Sequence, residues 1–419
     1  MLLNITIENF RSYNESQTLS LIASNASSDS DESEVNAVKV GDLWVRKSTV
    51  IYGANASGKS NIIKAVYALI DILRNDINSS NSAVVYSPFF KNQKPTTISI
   101  DFSVSEQIYN YTLSYDNENI YLEELLDETE RQIFSRRLIE DKYEYLIPEL
   151  AYKLILSDEQ LEVAEGLLKQ IQLSTTSKRL FLRQLVENNC KQLENIKNSI
   201  QNVLIRQNPY DYVGKPYSAY SDLNFAANYF ERNHKEIDVV KALNGIGVKV
   251  NNLKVIYNNE DPQAGDIYGG VRKLLSKYNI EGKECELDFQ NDESDGTVKF
   301  YNYFALIDFI IQFNGILIVD ELETHFHPLL IEEIIRAVHR SDSKAQLIFT
   351  THNPVLLSDD IFERDQIYFA AKNESQATEL YSLADFTDLK ELDNIQVKYM
   401  TGKFGAIPYF HSLNLSGDK

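Results

Sequence analysis

The 419-residue chain has only two cysteines, Cys190 and Cys285. Two cysteines exclude a disulfide framework and a cysteine-built zinc site, and make a reduced, cytoplasmic setting the expectation. Long apolar runs are also missing. The richest stretch, residues 301–313, is interrupted by Asp308, and nothing approaches the roughly 18–20 residues of a membrane-spanning helix. The opening segment, MLLNITIENF, lacks the basic and apolar regions of a secretory signal. Positive charge is scarce: 41 Lys+Arg against 61 Asp+Glu leaves a net charge of −20. That sign argues against a general grip on nucleic acid, although a local basic groove stays open. Internal repeats, low-complexity tracts and sustained heptads are absent as well.

What is present fits an ordinary globular protein, with 43% apolar and 24% charged residues. The length suits one large domain or two to three smaller ones. Residues 3–7 alternate apolar and polar side chains and read as a strand. Residues 48–52 (STVIY) form a β-rich run that ends at Gly53. From Lys59 onward, Ile62, Ile63, Val66, Ile70 and Leu73 recur at helical spacing. Residues 97–104, 109–115 and 120–125 predict an antiparallel meander. From about 124 to 207 the period becomes helical, with a capping box at Ser157 and Gln160. Leu182, Leu185, Asn189, Leu193, Ile196, Ile200 and Val203 predict one helix of about 25–30 residues. Residues 27–34 (SSDSDESE) read as a solvated loop, and 208–222 as a break rich in Pro, Gly and Tyr. Two further buried strands are expected at 313–319 and 346–350. Strands alternating with helices indicate an α/β fold with a mostly parallel sheet.

Four motifs carry chemistry. Residues 53–60 (GANASGKS) fit G-x-x-x-x-G-K-[ST]. Glycines let such a loop turn its N–H groups toward phosphate oxygens, and the following helix adds its positive end. Lys59 would meet the β- and γ-phosphates, and the Ser60 hydroxyl would ligate Mg²⁺. Residues 315–321 (GILIVDE) form a buried strand ending in two carboxylates, which need cationic partners. Asp320 would hold Mg²⁺ and Glu321 would orient or deprotonate water. Residues 346–352 (QLIFTTH) form a strand that places His352 at its end, either packed or donating to a γ-phosphate. Residues 293–297 (ESDGT) open a helix, either as an anion site or as a plain N-cap by Ser294 or Asp295.

In this order the four pieces resemble the ABC-type ATPase head shared by Rad50, SMC, RecF and OLD-like proteins. Residues 7–12 (IENFRS) are similar to the N-terminal strand and turn of that group. Ser294 to Thr297 resembles the signature loop, residues 322–328 (LETHFHP) the D-loop, and His352 the switch histidine. Residues 240–250 and 399–408 are similar to segments of AAA-family ATPases from bacterial abortive-infection and anti-phage operons, such as the PARIS, AbiL and Septu systems.

The resemblance implies a P-loop NTPase fold of the ABC-ATPase head type. The head would comprise residues 1–123 and 285–419, and residues 124–284 would be a mainly helical insertion for a partner or oligomer contact. It implies ATP and Mg²⁺ as cofactors, with hydrolysis to ADP and phosphate. Gly53, Ala54, Asn55, Ala56, Ser57, Gly58, Lys59, Ser60 and Asn61 would cradle the nucleotide, with Arg11 nearby. Ser60 and Asp320 would hold the metal, and Lys59, Glu321 and His352 would act in catalysis. Ser294 and Gly296 would reach the γ-phosphate from a second copy, so a homodimer or higher homo-oligomer is implied. A separate effector, a nuclease or toxin, is the implied further partner. No membrane partner is expected, and net charge does not support nucleic acid.

The chain departs from the family pattern in places. Ser294-Asp295-Gly296 replaces Ser-Gly-Gly, so a transporter-type signature is absent. Gln93 is the candidate for the Q-loop glutamine. His325, His327 and Glu323 leave metal ligation open beside the D-loop reading. Cys190 reads as structural or incidental. The insertion lacks the dense carboxylates of a two-metal nuclease. The 67 residues after His352 in this chain of 419 are too few for a Toprim nuclease. Destructive activity is therefore expected in another protein. Three functions stay open: an ATPase sensor or regulator in anti-phage defence, a RecF- or SMC-like repair ATPase on DNA, and a non-hydrolysing nucleotide scaffold.

Overall fold

The computed structural model describes residues 1–24, 36–79, 86–206, 222–257, 271–324, 326–358, 360–389 and 394–408. The loop expected at 27–34, nearly all of the break at 208–222, and His325 lie outside them.

The chain opens with β1 (Leu2–Glu8), β2 (Gln17–Ser20), the hairpin β3 (Ala37–Val40) and β4 (Leu43–Arg46), and the buried β5 (Ser48–Tyr52). Helix α1 (Lys59–Arg74) buries Ile62, Ile63, Val66, Ile70 and Leu73, the positions its periodicity predicts. The meander follows as β6 (Thr96–Val104), β7 (Gln107–Tyr115), β8 (Ile120–Asp127), β9 (Gln132–Ile139) and β10 (Lys142–Leu146). Five short helices come next: α2 (Tyr152–Ile155), α3 (Asp158–Leu161), α4 (Ala164–Ser174), α5 (Phe181–Glu187) and α6 (Lys191–Gln201). They lead to β11 (Val203–Arg206), then to α7 (Asp222–Arg232) and α8 (Glu236–Gly245). A small antiparallel sheet contains β12 (Asn252–Tyr257), β13 (Val271–Ile280) and β14 (Lys283–Asp288). The last part holds α9 (Asp295–Phe313), β15 (Ile316–Val319), α10 (Pro328–Arg340), β16 (Gln346–Thr350), β17 (Ile367–Lys372), β18 (Thr378–Ser382) and α11 (Ile395–Met400).

Two large sheets organise these elements. One is antiparallel, in the order β10-β9-β8-β7-β6-β1-β2. The other runs β11-β15-β16-β5-β17-β18 and is parallel except for the last pair. Because side chains alternate along a strand, the parallel sheet feeds two cores. Ile51, Ile316, Ile318 and Ile348 face a core shared with α1, the antiparallel sheet and the helices α2–α6. Val50, Tyr52, Leu317, Val319, Leu347 and Phe349 face the other core, with α7–α11.

Several sequence expectations are corrected. The period change near 124 is not the start of helix: β8 runs through it, and two more strands follow. Cross-strand contacts at 132–146 outweigh local propensity there. The single helix expected over 182–203 is two helices, because Asn189 adopts a left-handed conformation (φ 67°). Asparagine is among the few residues that visit this region readily. Val203 leaves the helix to pair in parallel with Ile316. Phe313 is the end of α9, not the start of a strand. Asn314 terminates that helix with φ 52°, and Phe313 stays exposed. The capping box at Ser157 and Gln160 is present.

The segment break placed between residues 123 and 124 falls at a buried polar staple. Glu123 lies opposite Arg136, and both side chains are fully buried. Glu123 accepts the N–H groups of Phe181 (2.6 Å) and Leu182 (2.8 Å) and the Tyr111 hydroxyl (3.0 Å). It thereby caps α5 and ties it to the sheet. Arg136 donates to the carbonyls of Arg179 and Thr176, both at 2.7 Å, and covers the Tyr143 ring at 3.8 Å. Glu123→Ala should orphan the buried Phe181 and Leu182 N–H groups and the Tyr111 hydroxyl, and cost roughly 3 kcal/mol. A urea unfolding curve whose midpoint matches wild type would contradict this.

Candidate active site

Strands β15, β16 and β5 lie side by side, so the turns after their C-terminal ends meet at one edge of the parallel sheet. Those turns carry Asp320–Glu321, His352 and the phosphate-loop motif respectively. The loop is seated closely against β17 and β18. A Cβ at Gly53 would collide with the Ala370 carbonyl, and one at Gly58 (φ 109°) with the Thr378 and Ser12 hydroxyls. Glycine is therefore required at both positions by contact as well as by conformation. Asn55 and Ala56 are exposed at the loop tip, while Ser57 is buried with its hydroxyl unpartnered.

Lys59 is 5% exposed. Its ammonium donates to the loop's own carbonyls, Gly53 (2.9 Å) and Ala54 (3.0 Å). Burial pulls its pKa down to about 8, opposed by the charges of Asp320, Glu323 and Glu321. Ser60 opens α1 and donates to Asp320 Oδ1 at 3.0 Å. Thr350 donates to the same oxygen at 2.6 Å, and its hydroxyl accepts the Glu321 N–H at 2.8 Å. Glu321 has φ 52°, a left-handed conformation that costs about 1–3 kcal/mol in a non-glycine residue. His352 is half-buried; burial and Lys59 push its pKa below the usual imidazole value, against the pull of Glu323 and Glu321. Its main-chain N–H donates to Glu323 Oε1 at 2.5 Å.

The structure thus brings Lys59, Ser60, Asp320, Glu321 and His352 together. Asn61 sits in the first turn of α1, and its amide donates to Ser12 Oγ at 2.8 Å. Arg11 is exposed, with its N–H on the Ser87 carbonyl and its guanidinium 5.8 Å from the Phe10 ring. Its neighbour Ser12 is the residue that meets the loop region, bonding Asn61 and Thr378. Ser294 caps α9: its Oγ accepts the Thr297 N–H at 3.2 Å, and Gly296 lies in the first turn. Among the described residues no hydrogen bond joins Ser294 to the phosphate loop. Gln93 is exposed in the segment before β6. His327 Nδ1 is engaged in capping α10, where it accepts the Leu329 N–H at 3.3 Å.

Thr350, Ser12 and Thr378 are site residues that motif reading missed, and Glu323, singled out only beside a possible metal ligation, bonds the His352 main chain. Thr350 was visible as the polar end of a strand. Thr378 carried no signal, since only the folding of β18 over the loop brings it there.

The residues fit a nucleotide with Mg²⁺. Ser60 and Asp320 are a hard-oxygen donor pair of the kind Mg²⁺ takes. The Ser57 hydroxyl lacks a partner, and Lys59 is bonded only to carbonyls of its own loop. Both can turn to phosphate oxygens.

The family model described as "AAA domain, putative AbiEii toxin, Type IV TA system" matches residues 48–358. The match spans well over half of the chain, and the protein belongs to that family. Among curated proteins none matches the chain in sequence. Solved structures similar to it include the SMC head domain from Thermotoga maritima, at 10% identity, covering 91% of this chain and 98% of that one with a TM-score of 0.41. The Smc head bound to the C-winged helix domain of ScpA is 14% identical, with 91% and 97% covered and a TM-score of 0.40. The recombination mediator protein RecF with ATP is 14% identical, with 88% and 96% covered and a TM-score of 0.38. The family match and the strand order around the loop carry the assignment, not these low-scoring superpositions. The family match and the phosphate loop after β5 define an AAA-domain protein with a P-loop on a mostly parallel sheet. Among the described residues no helix is long and apolar enough to cross a membrane.

Proposed function

We propose that the protein binds ATP with Mg²⁺ at the loop after β5, hydrolyses it to ADP and phosphate, and uses that cycle to close and open a homodimer or larger homo-oligomer. In this reading it is the regulatory ATPase of a bacterial anti-phage system and controls a separate effector, a nuclease or toxin. The observation that carries the ATPase reading is Asp320, bonded by the Ser60 and Thr350 hydroxyls at the edge where Lys59 lies buried. Ser60 and Asp320 would hold the metal, which when bound would supply positive charge beside the phosphates. Lys59 turns from the Gly53 and Ala54 carbonyls to phosphate oxygens. Glu321 orients or deprotonates the attacking water, and His352 donates to the γ-phosphate. Arg11 adjoins Ser12, whose hydroxyl bonds Asn61 and Thr378, and would approach the nucleotide from there.

The dimer reading rests on the likeness of residues 294–297 to a signature loop and on their place at the start of α9, where among the described residues no hydrogen bond ties Ser294 to this chain's own phosphate loop. A second copy then supplies Ser294 and the Gly296 N–H across a twofold interface, and ATP holds the two together. The defence reading is supported by the family description, which names a toxin and a toxin–antitoxin system.

Mixing two inactive variants tests the shared site. Lys59→Ala and Ser294→Ala should each be inactive alone. A mixed dimer keeps one site with both residues intact, so an equimolar mixture should recover roughly a quarter of wild-type turnover. A mixture no faster than its components would remove the shared site.

A further inference from the structure

Glu323 lies beyond the Asp320–Glu321 pair, and the mechanism above gives it no task. Its Oε1 accepts the His352 N–H at 2.5 Å, while its Oε2 is buried without a hydrogen-bond partner. Leaving a carboxylate oxygen buried and unpaired is costly, and such an atom in a site calls for a partner from water or ligand. Its charge acts on Lys59 and on His352, in both cases more strongly than that of Glu321. It also acts on the Tyr52 hydroxyl, which is likewise buried and unpartnered. The side chain therefore stands between the phosphate loop and the turn after β16.

The ladder between β15 and β16 ends with Val319 opposite Phe349. Beyond it the two turns are cross-linked by the Glu321 and Leu322 N–H groups, and both bonds end on Thr350. The Glu323 bond is the cross-link that reaches His352. One carboxylate oxygen is used on the histidine main chain and the other is spare. A group that fixes one loop and completes its hydrogen bonding when a ligand arrives has this pattern.

We propose that Glu323 is a positioning residue for His352: it holds the main chain that carries the imidazole, so that the ring meets the γ-phosphate, and its second oxygen takes a water ordered with the nucleotide. This rests on the nucleotide reading above. An acceptor oxygen is what the role requires, not a negative charge. A glutamine at 323 keeps such an oxygen, whereas an alanine does not.

The test compares wild type, His352→Ala, Glu323→Ala, Glu323→Gln and the double alanine variant by ATP turnover and by titration with a fluorescent ATP analogue. Glu323→Ala and His352→Ala should each lose about 100-fold in kcat, with analogue binding close to wild type. The double variant should be no slower than the slower single one, and Glu323→Gln should stay within about fivefold of wild type. Glu323→Gln as slow as Glu323→Ala, multiplying losses in the double variant, or a fully active His352→Ala beside a slow Glu323→Ala would each overturn the proposal. Hydrogen exchange without nucleotide provides an independent readout. Amides around His352 should exchange at least about tenfold faster in Glu323→Ala and as in wild type in Glu323→Gln. Unchanged exchange in Glu323→Ala sinks the positioning role. Failure of the wild-type protein to bind the analogue would sink the nucleotide reading instead.

Discussion

Lys59→Ala is expected to abolish ATP turnover, by at least about 10³-fold, and to weaken nucleotide binding severely. The reason lies in the ground state of the loop. Lys59 is 5% exposed, and its ammonium is bonded only to the Gly53 and Ala54 carbonyls. Holding a cation there is unfavourable without an anionic ligand, and burial accordingly draws its pKa to about 8. A triphosphate removes that penalty, so the lysine contributes more when the site is filled than when it is empty. The fold does not need it: the variant should melt no lower than wild type. Phosphate-release assays and nucleotide titration read the first part, and a thermal melt the second. A variant that still turns over at wild-type rate would show that the phosphates lie elsewhere.

The second large effect is expected from Glu321→Gln, which should lower turnover by about 10²–10³-fold while leaving ATP binding near wild type. Glutamine preserves the shape of the side chain but cannot take a proton from water. Glu321 is also held in a left-handed conformation, with its N–H on the Thr350 hydroxyl. That strain is retained in the variant, so its effect isolates the carboxylate. With hydrolysis blocked, the ATP-closed dimer should accumulate. Size-exclusion chromatography with ATP should then show a dimer that persists in Glu321→Gln and decays in wild type. Equal turnover in the two proteins would take Glu321 out of the reaction.

Much of this site was legible because two of its parts are contiguous in the chain. A phosphate loop is written in eight successive residues, and Asp320 and Glu321 follow directly on an apolar run. The same locality explains α1, whose buried face follows from spacing alone. Readings of secondary structure failed where contacts distant in sequence decide. Residues 132–146 have no decisive local signal for strand, and they join the sheet because β8 offers an open edge. The helix expected through Asn189 breaks because one asparagine turns left-handed and Cys190 enters the core. Beside Arg11, which resemblance singles out, Ser12 bonds Asn61 and Thr378, a contact no motif announces.

Taken alone, the order of residues determined which chemical groups are available: a glycine-flanked lysine and serine, two carboxylates at the end of a hydrophobic run, and a histidine after another. Those are local properties, set by bonded neighbours and side-chain period. Only the folded chain decided which of them share a hydrogen-bond network. The order β15-β16-β5 places three separate turns at one sheet edge, and there Thr350 and Glu323 bond Asp320 and the His352 main chain. Strand order is chosen by the burial of both sheet faces in two cores, a balance over the whole molecule that no short stretch of sequence contains.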